Sequence, residues 1–404
     1  MKSKLWKAAL VMTAAMMLFC PVYAGSMVQA ETVDAGQITD NTGKWIQEGE
    51  DWYWQKADGS ILRQGGWHIL DGKRYFLANN SGRRKSGWLT YCGKKYYLEP
   101  KTGVMVTGWK TIGSKVYFFS RSGKTQGIMR TGTVLIDGAY YFFNSDGSRF
   151  RGWKTIKGYK YYYYKNGKGA VGWNKIDGNM YYFNPKNRVM KVGWATISGS
   201  TYYFKKNGHR TFGLANLGGK TYYFGSGGKL VRDRLAMKIN NKYYKIDNKG
   251  VCTQFKKKVE ILAIKTLDKV GWTPRDAYNY CARQYKEVSN DVPAGQNVAD
   301  WYATMGFENG GVGDCYVLAA MFTQMAKILG LDAHFVMGSV PTRLSAEGAG
   351  PHGWCEIDLD GATYICDPDF EIESGWNGKT RKNGYMFVYG TKGTYKYQDG
   401  KRMN

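Results

Sequence analysis

Proline is scarce in this chain, with 8 residues in 404 beside 53 glycines. Glycine without proline excludes a collagen-like repeat and a proline-rich linker protein. Histidine is scarcer, with 4 scattered residues, and no Cys-x-x-Cys occurs. The spacing therefore suggests no zinc site. No aspartate-rich loop speaks for calcium, and no glycine-rich phosphate loop follows a strand. No metal and no cofactor is expected. Long apolar runs are absent beyond the first residues, which excludes a polytopic membrane protein. Aromatic residues, in contrast, reach 16%, with 32 Tyr and 14 Trp. So many aromatics argue against disorder.

The N-terminus reads as an export signal. Lys2, Lys4 and Lys7 precede an apolar stretch from Ala8 to Cys20, and Val22-Tyr23-Ala24 and Val28-Gln29-Ala30 offer small-residue cleavage sites. The apolar stretch is shorter than the roughly 20 residues a span requires. Residues 1–30 are therefore expected to leave as a signal peptide, with Cys20 among them, and 31–44 to act as a linker. No stable membrane span is expected, and the mature chain should be secreted to the cell wall or surface. Its six remaining cysteines are too scattered for the disulfide framework of a small secreted scaffold.

Charge is distributed by segment. Residues 41–254 hold 38 basic and 11 acidic side chains, whereas 255–404 hold 17 and 18. All of the net +26 therefore belongs to one stretch. Such a stretch attracts polyanions and also keeps aromatic hairpins soluble. For an exported chain the polyanion is an anionic wall polymer; no nucleic acid partner is expected.

The same stretch is repetitive. Gly-Trp recurs at Trp67, Trp88, Trp109, Trp153, Trp173 and Trp194, with Thr133 and Leu214 standing in for Trp. Aromatic clusters fall at Tyr53, Tyr75, Tyr96, Tyr117, Tyr141, Tyr162, Tyr182, Tyr203, Tyr223 and Tyr244. That is about ten units of 20–22 residues. In Asp177-Gly178-Asn179-Met180-Tyr181-Tyr182-Phe183, Asp-Gly supplies a turn with φ > 0 and the aromatics supply a strand. One hairpin cannot bury its aromatic face alone, so the units are expected to stack into a β-hairpin solenoid over 45–254. Most of the aromatics would then be core. The others would form paired walls that stack on sugars or enclose a quaternary ammonium group.

The pattern changes after residue 254. Val259 to Leu267 has helical spacing, and a second helix is predicted from Pro274 to about Glu287. Gly311-Val312-Gly313-Asp314-Cys315 leads into a helix predicted to be amphipathic, with Leu318, Met321, Phe322, Met325 and Leu329 on one face and Gly330 at its end. Asp314 is the predicted N-cap, which places Cys315 in the first turn, where the helix dipole favours a thiolate. Ala333–Val340 reads as a strand. Residues 351–368 read as a hairpin turning at Asp360-Gly361. This register puts Leu359 opposite Ala362, Cys355 opposite Cys366, and His352 opposite Asp369 and diagonal to Asp367. A slip of two residues would set His352 directly against Asp367. Either arrangement keeps imidazole and carboxylate on one face, as a general base and its orienting acid require. Cys355 and Cys366 could form a cross-strand disulfide or stay reduced.

Two resemblances follow from these motifs. The repeats resemble the cell-wall-binding repeats of Gram-positive surface proteins, which include choline-binding and glucan-binding modules. That implies non-covalent attachment to an envelope polymer through Trp67, Trp88, Trp109, Trp153, Trp173, Trp194, Tyr182 and Tyr203. Where choline-binding units usually begin their aromatic cluster with Trp, this chain has Arg74, Lys95, Met180, Thr201 or Thr221. Carbohydrate and teichoic acid are thus expected ligands alongside a choline-like group.

The ordered set Gly-Asp-Cys, His352-Gly353-Trp354 and Asp367-Pro368 resembles the transglutaminase-like superfamily, which has a papain-like α+β fold. The resemblance implies a catalytic domain over 255–404 with the triad Cys315, His352 and Asp367, Asp369 being the fallback for Asp367. It also implies a thiol acyltransferase or hydrolase acting on amide groups, such as Gln, in a protein or peptide. The alternatives are a wall peptidase of the NlpC/P60 type and an adhesin or wall-organising protein with an idle domain.

Overall fold

The computed structural model describes residues 37–288, 291–341 and 348–403. The expected signal peptide lies outside the described residues. The chain divides into two compact units, 1–191 and 192–404. Ten antiparallel hairpins span residues 44–246, the first seven in the first unit and the last three in the second. The architecture is the expected one: hairpin repeats, then a helix-and-sheet domain.

Each hairpin follows from its sequence. Asp177 and Gly178 take φ of 47° and 78°, the left-handed pair that closes a two-residue turn, with Ile176 opposite Asn179. Alternation along Asn179–Phe183 buries Tyr181 and Phe183 and leaves Tyr182 half-buried opposite Trp173. Neighbours complete the burial. Phe118 of the fourth hairpin joins Val134, Ile136, Tyr141 and Phe143 of the fifth in one apolar cluster. The segment after several hairpins also ties back to the preceding one. Met105 N–H donates to the Arg74 carbonyl at 2.8 Å, and Met129 N–H to the Lys95 carbonyl at 2.8 Å. Part of the expected linker is ordered too, since Thr39–Asp40 pairs in parallel with Gly66–Leu70.

Within the second unit, the last hairpins are followed by helices α1 (Lys258–Val270), α2 (Pro274–Cys281), α3 (Val298–Glu308) and α4 (Cys315–Ile328). Strands β1 (Asp332–Val340), β2 (Gly350–Leu359) and β3 (Ala362–Cys366) come next, then α5 (Pro368–Ser374) and β4 (Gln398–Met403). The sheet is antiparallel with order β3-β2-β1-β4. Among the described residues no helix is long and apolar enough to cross a membrane.

Three local expectations are corrected. Helix α2 stops at Cys281, well before Glu287, because Tyr285 turns extended to bridge Gly313 and Lys286 N–H donates to the Gly313 carbonyl. Helix α4 is not amphipathic. It is buried from Tyr316 to Met325 on every face, between α1, α2 and α3 on one side and the sheet on the other. Gly306 makes this possible, since a Cβ there would lie 2.2 Å from Met321 Sδ. Finally, the β2–β3 ladder has the expected register, Leu359 opposite Ala362 and Cys355 opposite Cys366, but it ends at Cys366. Asp369 is therefore not a strand partner of His352. Both cysteines are buried free thiols.

Candidate active site

Three elements converge on His352. Cys315 is the first residue of α4, and Asp314 caps it, its Oδ1 accepting the Val317 N–H at 3.0 Å. His352 lies near the start of β2, opposite Gly338. Gly353 lets β2 lie against the first turn of α4, since a Cβ would sit 2.7 Å from Tyr316 Cδ1 and 3.1 Å from Tyr316 Cα. The Gly of His-Gly-Trp is thus what brings the imidazole up to the cysteine. Asp367 follows the last ladder residue, Cys366, and caps α5, its Oδ1 accepting the Phe370 N–H at 2.9 Å. Its other oxygen, Oδ2, lies 2.7 Å from His352 Nε2.

With Nε2 occupied by Asp367, Nδ1 faces the other side. One side-chain atom each of Cys315, His352 and Asp369 lie within 4.8 Å of one another, and Nδ1 is 3.8 Å from Asp369 Oδ2. The fold therefore brings the three expected residues together, and Asp369 occupies the cysteine side of the ring.

The electrostatics are strongly coupled. Burial alone favours a neutral His352 ring, but the adjacent Asp367 carboxylate and Cys315 together outweigh it and hold the imidazole well above its ordinary value. Burial pushes the Cys315 thiol up, hydrogen bonding to His352 opposes this, and Asp369 and Asp314 add to the rise. Asp369 is itself pushed up to about 8, first by burial and then by Asp367, Glu373 and Asp314, against the opposing pull of His352.

Several supporting residues carried no signal in the sequence reading. Tyr397 O–H donates to Asp367 Oδ2 at 2.7 Å. Tyr278 O–H donates to the Asp367 carbonyl at 3.0 Å, and Asp367 N–H donates to the Gly384 carbonyl at 2.7 Å. Trp354 stacks beside His352 at 6.4 Å between ring centroids, and its Nε1–H donates to Tyr389. The alternation Tyr395-Lys396-Tyr397 was the available hint, since it sets two aromatics on one side of an extended segment.

In the repeats, each of the six Gly-Trp tryptophans faces a cross-strand aromatic: Phe76, Tyr97, Phe118, Tyr162, Tyr182 and Tyr203 in turn. The next hairpin adds a second wall in several cases. Trp88 is 5.1 Å from both Tyr97 and Tyr117, Trp153 is 5.0 Å from Tyr162 and Tyr181, and Trp194 is 5.2 Å from Tyr203 and 5.0 Å from Tyr222. These three tryptophans are 45%, 39% and 42% exposed. Trp67 and Trp109 are more enclosed, and the Arg149 guanidinium lies over Trp109.

Residues 266–368 match the model of the transglutaminase-like superfamily. Residues 150–192 match the choline-binding repeat, and 107–124, 134–148 and 192–209 match a putative cell wall binding repeat. The chain thus joins a transglutaminase-like domain to repeats of the choline-binding, cell-wall-binding kind. No curated protein matches it. Solved structures similar to it include CbpJ from Streptococcus pneumoniae TIGR4, 20% identical over 52% of this chain and 94% of that one, with a TM-score of 0.38. Choline binding protein F from Streptococcus pneumoniae is 20% identical over 53% and 93%, with a TM-score of 0.37. The choline binding domain of Spr1274 in Streptococcus pneumoniae is 33% identical over 20% and 96%, with a TM-score of 0.19.

Proposed function

We propose that this is a secreted thiol acyltransferase or hydrolase of the cell wall, with Cys315 as nucleophile, His352 as general base and Asp367 as the group that fixes the imidazole. The observation that carries the reading is the 2.7 Å contact of His352 Nε2 with Asp367, which leaves Nδ1 as the nitrogen free to serve Cys315. His352 Nδ1 takes the thiol proton and the sulfur attacks a carboxamide or peptide carbonyl. The Cys315 amide N–H, in the first turn of α4, is placed to donate to the oxyanion. The imidazolium then returns its proton to the leaving amine or ammonia. A second amine acting on the thioester gives an isopeptide bond, and water gives hydrolysis.

The repeats supply the address. The half-open walls at Trp88, Trp153 and Trp194 suit a sugar face or a quaternary ammonium group. The basic excess of the same stretch favours an anionic wall polymer such as teichoic acid. Residues 45–254 are the proposed wall-binding array and 255–404 the proposed catalytic domain.

The test uses the full chain and Cys315→Ala. Each is incubated with a protein carrying accessible Gln and Lys plus a small primary amine, and intact masses are recorded. A Cys315-dependent gain of one amine for ammonia means transamidation; Cys315-dependent deamidation or cleavage means that water is the acceptor. Identical masses with both chains, repeated on purified wall peptides, would refute the enzyme and leave a wall-binding protein with an idle domain.

A further inference from the structure

We propose that Cys315, His352 and Asp369 together bind a zinc-class divalent cation, and that the bound cation masks the thiol. The residue spacing suggested no metal site because the three ligands come from three separate elements: the start of α4, the start of β2 and the first turn of α5.

The spacing of the three side chains suits a three-ligand site. One ligand atom from each residue lies within 4.8 Å of the others, and Nδ1 and Asp369 Oδ2 are 3.8 Å apart. Zinc bonds to S, N and O imply edges of roughly 3.3–3.7 Å, so closing the site takes only small side-chain movements. Three protein ligands leave a fourth position for water. The mix of sulfur, imidazole and carboxylate suits zinc, whereas magnesium and calcium take oxygen.

Two further observations point to a cation. Asp369 is 3% exposed, and its Oδ1 has no hydrogen-bond partner among the described residues. A buried carboxyl in that position is costly unless something pairs with it. In addition, Asp367 holds His352 through Nε2 at 2.7 Å. A carboxylate behind a histidine ligand fixes the tautomer that presents the opposite nitrogen to a metal. Asp332, His334 and Asp358 also cluster, but Arg402 already bonds both oxygens of Asp358, at 2.7 and 2.9 Å, and Asp332 is exposed.

Binding needs no electron transfer. The cation displaces to solvent the proton shared by Sγ and Nδ1, and any proton on the Asp369 carboxyl. Sulfur and Nδ1 are then both committed to the metal, so neither can attack nor accept a proton. Only this inhibitory consequence rests on the proposed reaction; binding rests on the geometry alone.

The test uses metal-free full chain. Cobalt is titrated and followed by absorption, zinc is titrated by calorimetry, and iodoacetamide labelling of each cysteine is mapped by peptide mass with and without zinc. The expected results are thiolate-to-cobalt charge-transfer absorption and zinc protection of Cys315 but not of exposed Cys92. Cys315→Ala removes the absorption, and Asp369→Asn weakens zinc binding about tenfold or more, whereas Cys92→Ser changes neither. Circular dichroism checks that each variant is folded. Absorption that persists in Cys315→Ala, or wild-type Cys315 labelled equally fast with and without zinc, would overturn the site; the second result needs no variant. Zinc protection without acyl transfer would leave the metal site standing and remove the enzyme. Acyl transfer indifferent to zinc, with no protection, would do the reverse.

Discussion

His352 Nε2 and Asp367 Oδ2 are 2.7 Å apart, and both side chains are almost wholly buried. The same oxygen accepts Tyr397 O–H, also at 2.7 Å. Asp367 is therefore oriented from two sides, and the histidine inherits that orientation. Tyr397→Phe removes one donor from a buried carboxylate, a change of roughly 1.5–3 kcal/mol for a bond to a charged group. The expected outcome is about a tenfold lower turnover in the amine-incorporation assay, with KM for the acyl donor little changed. A KM effect alone would place Tyr397 outside this arrangement.

Gly353→Ala tests how the elements that carry Cys315 and His352 meet. The added Cβ would crowd Tyr316 and lie 3.2 Å from Phe335 Cε2. Overpacking of this kind costs roughly 1–3 kcal/mol of stability. Activity should suffer more, by about a hundredfold, because β2 must shift and carry His352 away from Cys315. Thermal melts beside turnover measurements check this; equal wild-type activity would show that the close approach is not required.

Asp369 makes stability depend on pH. Its carboxyl is raised from the ordinary value of 3.8 to about 8, so the folded state binds a proton that the unfolded state releases. The stability this gives is fully present below about pH 4 and is lost as the pH rises through about 8. Asp369→Asn removes that dependence. Its melting temperature should rise relative to wild type between pH 5 and 9, with the largest gain at the alkaline end. A constant difference across that range would contradict the buried, protonated carboxyl.

The aromatic walls predict separable binding. Replacing Trp88, Trp153 and Trp194 together with Ala should abolish retention on purified cell walls while leaving acyl transfer on a soluble substrate unchanged. A pull-down on walls, run beside the mass assay, reads both. Because Tyr117, Tyr181 and Tyr222 lean on these indoles at 5.0–5.1 Å, circular dichroism of the variant checks that the hairpins persist.

Much of this is legible in the sequence itself. The 21-residue period, the Asp-Gly turns and the aromatic alternation specify the hairpins, because turn chemistry and side-chain period act locally. The register of β2 and β3 follows from Asp360-Gly361 for the same reason, and the Asp314 cap from its position before an apolar run. What was illegible depends on distant contacts. Asp367 meets His352 by capping a helix, not by continuing a ladder, and proline at the next position starts that helix. Tyr278 reaches Asp367 across 89 residues and Tyr397 across 30, with no local pattern to announce either. Helix α4 looked two-faced because its small residues, Ala319, Ala320 and Ala326, read as neutral, yet they are wholly buried against neighbouring elements.

The central claim is that buried His352 activates Cys315, and it can be tested without knowing the substrate. The measurement is the rate of iodoacetamide labelling of Cys315 at pH 6 in metal-free full chain and in His352→Ala, with exposed Cys92 as internal reference. The account predicts that Cys315, referenced to Cys92, reacts at least about tenfold more slowly once the imidazole is gone. Equal Cys315 rates in the two chains would contradict it.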